Sequence, residues 1–176
     1  MDLVSAARKG REEAFLELFD EHHLPLFRFA CRMTGSAADA EDIVQECFLQ
    51  LLRPGCSYDP ARGTPIRTYL FGVVRNQSLK RRGQGAVAGE GMDKGRRDSP
   101  ESQVLRTELQ EVVSRAVMEL PEGHREVLIL AHYEQMPLAE IAGIMEIALT
   151  TVKSRLQRGR AQLKETLAAY AVPERK

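Results

Sequence analysis

LAEIAGIMEIALTTVKSRLQRGRAQL, from Leu138 to Leu163, changes character halfway along. Apolar residues recur at helical spacing from Leu138 to Met145, about four residues of turn follow, and a second periodic segment starts at Thr150. Two short helices joined in this way have helix-turn-helix spacing. In the second, Val152, Leu156, Gly159 and Leu163 fall on one face, which is predicted to pack on Ile141, Ile144 and the preceding helix. Lys153, Ser154, Gln157, Arg158 and Ala161 then face away. Bases and amide side chains near a helix N-terminus can reach base edges and phosphates in a major groove. Thr150 and Thr151 can cap that end and offer backbone N–H groups to a phosphate. By itself a basic amphipathic helix is equally a solvated face; the short helix and turn ahead of it favour duplex DNA.

Outward from this stretch the pattern stays helical. Leu18, Leu24, Leu26, Phe27 and Ala30 recur at three- and four-residue spacings, and Thr34-Gly35 ends that segment. Ser36 with Asp39 resembles a capping box with Asp in place of Glu. The helix from Ala37 to Leu52 turns Ile43, Cys47 and Leu51 one way and leaves Asp39, Asp42, Gln45, Glu46 and Gln50 for its other faces. RPGCSYDPARGTP, residues 53–65, is a loop, and Ile66 to Arg82 a helix that grows basic toward Lys80, Arg81 and Arg82. Residues 83–99 are glycine-rich with almost no large apolar side chain, the composition of a flexible linker. Ser99-Pro100 reads as the N-cap and first residue of a helix to about Met118. Pro121 opens another through Tyr133, with Val127, Leu128, Leu130 and Ala131 buried, and Thr150 to Tyr170 forms the last. The expected fold is all-α: two small helical domains, 1–82 and 100–176, joined by 83–99.

Charge separates the two ends. The chain is formally neutral overall, yet Arg11 to Glu46 holds nine acids and three bases, while Arg75 to Arg97 holds seven bases and two acids. Two surfaces for two different partners follow from that asymmetry. The 176 residues, 43% hydrophobic and 6% aromatic, suit compact helical units built on aliphatic side chains. MDLVSAARKGREEAF lacks the basic-then-apolar pattern of a secretory signal, and the apolar run Val127 to Ala131 is far too short to span a bilayer. Cys31, Cys47 and Cys56 show no C-x-x-C, so free thiols in a reducing cytoplasm are expected. P-loop, H-E-x-x-H and G-x-S-x-G patterns do not occur, and the adjacent His22-His23 pair makes a poor metal site. Neither a catalytic constellation nor a cofactor or metal is expected.

DAEDIVQECFLQLLR (Asp39–Arg53), YDPARGTPIRTYLFGVVRN (Tyr58–Asn76), LPEGHREVLILAHYEQMPLAEIAGIM and TTVKSRLQRGRAQL, in that order, resemble the extracytoplasmic-function sigma factors of bacterial RNA polymerase. The likeness covers nearly the whole chain outside the linker. It implies a non-enzymatic initiation factor that binds core polymerase, through its beta and beta-prime subunits, and promoter DNA. Asp39, Asp42, Gln45, Glu46 and Phe48 match the surface for the polymerase clamp helices. Tyr58, Arg67, Tyr69, Arg75, Asn76 and Lys80 match the part that melts and reads the −10 element. Thr150, Thr151, Lys153, Ser154, Gln157 and Arg158 match the part that reads the −35 duplex. An anti-sigma factor is implied as a further partner, with no small-molecule substrate and no membrane insertion.

The chain departs from the family pattern in places. Tyr69 stands where Trp is usual, Glu146 and Thr150 where Gly is usual, and Ala148 where Pro is usual. Without the resemblance, the acidic face is equally a solvated helix and Tyr58 equally a core residue. Two other functions stay open. A conventional helix-turn-helix regulator binds duplex half-sites as a dimer, but leaves the acidic first domain unexplained. A sigma mimic titrates a regulatory partner, but calls for a fused receiver domain or a reading helix stripped of bases.

Overall fold

Residues 2–85 and 100–170 are described by the structure, a computed structural model, with side chains described at 2–84 and 108–170. The chain divides into two compact units, the first built on Met1–Met92 and the second on Asp93–Ala142 and Glu146–Lys176. Among the described residues every regular element is helical. The flexible-linker assignment falls mostly outside the described residues; at its start, residues 83–85 belong to a helix.

The first unit contains α1 (Leu3–Arg8), α2 (Glu12–Thr34), α3 (Ala37–Leu52) and α4 (Ile66–Gly85), with α2 packed against the other three. Glu12 and Glu13 complement the N-terminal dipole of α2, and Gly35, at φ 74°, ends it in the left-handed conformation that costs glycine least. Pro25 leaves the Glu21 carbonyl without its usual donor, yet the helix runs on to Thr34. Tertiary packing carries it: Leu18, Leu26, Phe29, Ala30 and Met33 are all buried. Leu24, expected on the apolar face, is instead 49% exposed, because a helix turns about 100° per residue and the inward stripe is set by Leu18, His22 and Leu26.

Between α3 and α4 the loop occupies residues 53–65 as read, with one 3₁₀ turn at Pro60–Arg62. Asp59 caps that turn at the Ala61 N–H (2.9 Å), and Gly63 closes it at φ 73°. Ser36 caps α3 through the Asp39 N–H (3.2 Å). The reciprocal half of the expected capping box is not made. The Ser36 N–H donates to Thr34 Oγ1, and the Asp39 carboxylate turns to Arg81.

The second unit contains α5 (Pro100–Glu119), α6 (Glu122–Leu128), α7 (Leu138–Met145) and α8 (Leu149–Tyr170). The helix expected from Pro121 to Tyr133 has two parts, since α6 passes into a π-helical turn at Ile129–Tyr133. Val127, Leu128, Ile129 and Leu130 are buried, whereas Ala131 is only half-buried. Arg125, 2% exposed, donates to the Val117, Met118 and Leu120 carbonyls at 3.1, 2.6 and 2.7 Å. It thereby satisfies the C-terminal end of α5, whose last carbonyls have no partner within the helix.

Candidate functional site

In the second unit, α7, a tight turn and α8 build the expected reading head. Glu146 stands at φ 54°, and the Ile147 N–H closes back on the Ala142 carbonyl at 3.1 Å. That is a Schellman-type helix end with a non-glycine residue at its left-handed position. Val152, Leu156 and Gly159 are buried, while Thr150, Lys153, Gln157 and Arg158 are exposed. Leu163 is half-buried and lines an apolar cleft with Val113, Leu128 and Leu167. Ser154 spends its hydroxyl proton on the Thr151 carbonyl (3.2 Å), so toward a ligand it can only accept. Gly159 of α8 packs closely against α6. A Cβ there would meet the His124 carbonyl oxygen of α6 at 3.3 Å. At Gly123 a Cβ would lie 2.8 Å from the Arg155 guanidinium, so Arg155 lies over α6.

The acidic face of α3 is half as predicted. Asp42 and Gln45 are exposed, and Asp39 and Glu46 partly so. Gln45 donates to Glu41 Oε1 at 3.2 Å, and Glu46 pairs with Arg53 at 3.1 Å. Phe48 has to be corrected. It is 3% exposed, with its ring 6.2 Å from Phe15 and 5.1 Å from Phe19, and it holds α2 to α3. The apolar residue that does share the outer face is Leu49, 54% exposed and in helical register with Asp42, Gln45 and Glu46. Its neighbour Phe48 concealed it in the sequence, where both read as apolar.

Tyr58 also differs from expectation. It is 7% exposed, its ring is 5.0 Å from that of Tyr69, and its hydroxyl donates to the Thr64 carbonyl at 3.3 Å. A ring packed in this way presents no open face for a base, so Tyr58 shapes the loop. Burial raises the pKa of its hydroxyl. Tyr69 is half-buried, with its hydroxyl 3.2 Å from Cys56 Sγ and 3.4 Å from Ser57 Oγ. Its pKa too is raised, chiefly by burial. Arg67 lies over the Phe71 ring at 5.6 Å, Arg75 donates to Asn76 at 3.3 Å, and Asn76 and Lys80 are exposed. Arg8, which no local pattern singles out, donates to the Leu51 and Tyr58 carbonyls at 2.9 and 3.2 Å and fastens the loop to the end of α3.

The acidic and basic surfaces, far apart in sequence, meet. Arg81 of α4 lies 2.7 Å from Asp39 and 3.7 Å from Asp42 of α3, and farther along the same helix pair Gln77 donates to Gln50 at 3.4 Å. The cysteines are free thiols; that of Cys47 is pushed up to about 12 by burial. Among the described residues no helix is long and apolar enough to cross a membrane.

Comparison with known proteins agrees with this geometry. Residues 18–85 match the family model for Sigma-70 region 2, and residues 110–163 that for Sigma-70, region 4. The ECF RNA polymerase sigma factor SigL of Mycobacterium tuberculosis is 34% identical over 177 residues, covering 98% of this chain and 99% of its own. SigW of Bacillus subtilis, also an ECF RNA polymerase sigma factor, is 29% identical over 178 residues, 93% and 94% of the two chains. In structure, CnrH in complex with the cytosolic domain of CnrY superposes with a TM-score of 0.72 at 27% identity, covering 95% of this chain and 96% of CnrH. With both regions matched in order and such relatives aligned nearly end to end, the chain belongs to the extracytoplasmic-function sigma factors, the initiation factors that direct RNA polymerase to promoters.

Proposed function

We propose that the first unit, residues 1–82, docks core polymerase and reads and melts the −10 element, and that the second, residues 100–176, reads the −35 duplex. The observation that carries this reading is the outward face of α8, where exposed Lys153, Gln157 and Arg158 stand over buried Val152, Leu156 and Gly159 behind a tight turn. Asp42, Gln45, Glu46 and Leu49 form the docking face, an acidic rim around one apolar side chain suited to basic, amphipathic helices of the beta-prime subunit. Asn76 and Lys80, with Arg67, Tyr69 and Arg75 on the same helix, serve the −10 strand; Tyr58 supports them from inside the loop. The chain works in the cytoplasm, without chemistry of its own, and an anti-sigma protein is its regulatory partner. The complex of the similar CnrH with the cytosolic domain of CnrY supports a protein partner of this kind.

Spacing between the two promoter elements tests the reading. Inserting about 5 base pairs moves one element by roughly 17 Å at ~3.4 Å per pair and turns it by about half of a 10–10.5-pair helical turn. Abortive transcripts with core enzyme are expected to fall sharply on the lengthened template. Equal transcription from both templates would sink two-element recognition. Tight, spacing-sensitive binding by the free chain would instead favour a conventional regulator.

A further inference from the structure

Arg81 stands at the seam of the two proposed surfaces of the first unit. Its guanidinium bridges Asp42 (3.7 Å), a carboxylate of the proposed docking face, and Asp39 (2.7 Å), one helical turn before it on α3, yet it belongs to the basic end of α4 with Lys80 and Arg82. A planar guanidinium binds carboxylate and phosphate through the same fork of N–H donors, so it cannot serve both fully at once. Equally, a carboxylate already neutralised by Arg81 attracts a basic partner less. We propose that this ion pair is an autoinhibitory contact: in the free chain Asp39 and Asp42 mask Arg81, and a basic polymerase surface that takes the carboxylates releases Arg81 to a DNA phosphate.

The inference rests on the docking role given above to the acidic face. Its strength suits a switch. The side chains of Arg81 and Asp39 are 40% and 43% exposed and that of Asp42 63%, so all three can be reached by a partner. An ion pair this open to water is weak and is readily exchanged for another. Because binding free energies are linked, whatever the polymerase gains by freeing Arg81 for DNA, DNA returns as tighter polymerase binding. Selectivity follows: the free chain is a poorer ligand for stray single strands than its basic α4 end implies, and becomes a better one when docked.

The test is a double-mutant cycle in the full chain, read with a fluorescein-labelled single-stranded DNA and with core polymerase. Asp39→Asn is expected to tighten single-strand binding by the free chain by about two- to fivefold, the range of an exposed pair. That gain should vanish in Asp39→Asn/Arg81→Gln. Glu41→Gln removes the same charge from α3 but from a residue paired with His23 rather than with Arg81, and should give little gain. Arg81→Gln alone should tighten core-polymerase binding by a similar factor. A gain from Asp39→Asn that persists without Arg81 would overturn the mask, as would Arg81→Gln weakening core binding. Leu49→Asp, about two helical turns beyond Asp42, tests the docking face separately. Unchanged core affinity there would remove the docking reading and the polymerase half of this proposal, while an Arg81-dependent gain in DNA affinity would still identify the ion pair as the mask.

Discussion

The Arg81 guanidinium of α4 lies 2.7 Å from the Asp39 carboxylate of α3, across 42 residues of chain. This contact diverts Asp39 from the capping box in which its position after Ser36 would place it. It also joins an acidic face and a basic helix end that composition alone separates into two surfaces. Charge reversal beside it is therefore informative. Asp42→Arg is expected to abolish transcription with core polymerase, since it adds repulsion while removing attraction, yet to leave duplex binding through α8 intact. Co-purification with core enzyme and a duplex gel shift would check both halves; retained core affinity would return this face to a merely solvated one.

Lys153→Ala and Arg158→Ala should differ from Arg160→Ala. The first two are exposed on the outer face of α8, where a lost base contact costs about 1–3 kcal/mol. Arg160 instead borders the apolar cleft with Leu163 and Lys164, to one side of that face. Titration of promoter and scrambled duplexes should show a specific loss for Arg158→Ala and little change in discrimination for Arg160→Ala. Equal weakening on both duplexes would make Arg158 a backbone contact.

Glu146→Gly should raise the melting temperature. Glu146 holds φ 54° at the end of α7, a conformation that costs a residue with a Cβ about 1 kcal/mol more than glycine. Its carboxylate is exposed. A lowered melting temperature would mean that the side chain makes a contact worth more than the relieved strain.

His22 makes the chain sensitive to acid. It is 6% exposed, with Nε2 lacking a hydrogen-bond partner and 3.9 Å from Glu21 Oε2, and its pKa is lowered from 6.5, first by burial and also by Arg67, against the opposing charge of Glu21. The unfolded chain therefore binds this proton more readily than the folded one. The contribution is fully present above about pH 6.5 and is lost as pH falls through the lower folded value. His22→Leu should flatten the fall in denaturation midpoint below about pH 6.5 relative to the parent chain. An unchanged slope would assign acid sensitivity to other groups.

Much of this was legible from residue order, and the reason is locality. The bounds of α3 and α7 and the loop over residues 53–65 all depend on caps, turn residues and periodicity within a few positions. The inner face of α8 was legible for the same reason, since Val152, Leu156 and Gly159 repeat at helical spacing. Tertiary structure alone decided which way adjacent residues point and what distant side chains meet. Phe48 and Leu49 differ by one position, and about 100° of helix rotation buries the first against Phe15 and Phe19 and exposes the second. Tyr58 sits in a polar loop, but the Tyr69 ring, brought in by α4, and the Thr64 carbonyl of the same loop enclose it. Arg8 and Arg81 find partners 42 to 50 residues away. No periodicity encodes such pairs, because they exist only once packing has placed α1 and α4 against α3.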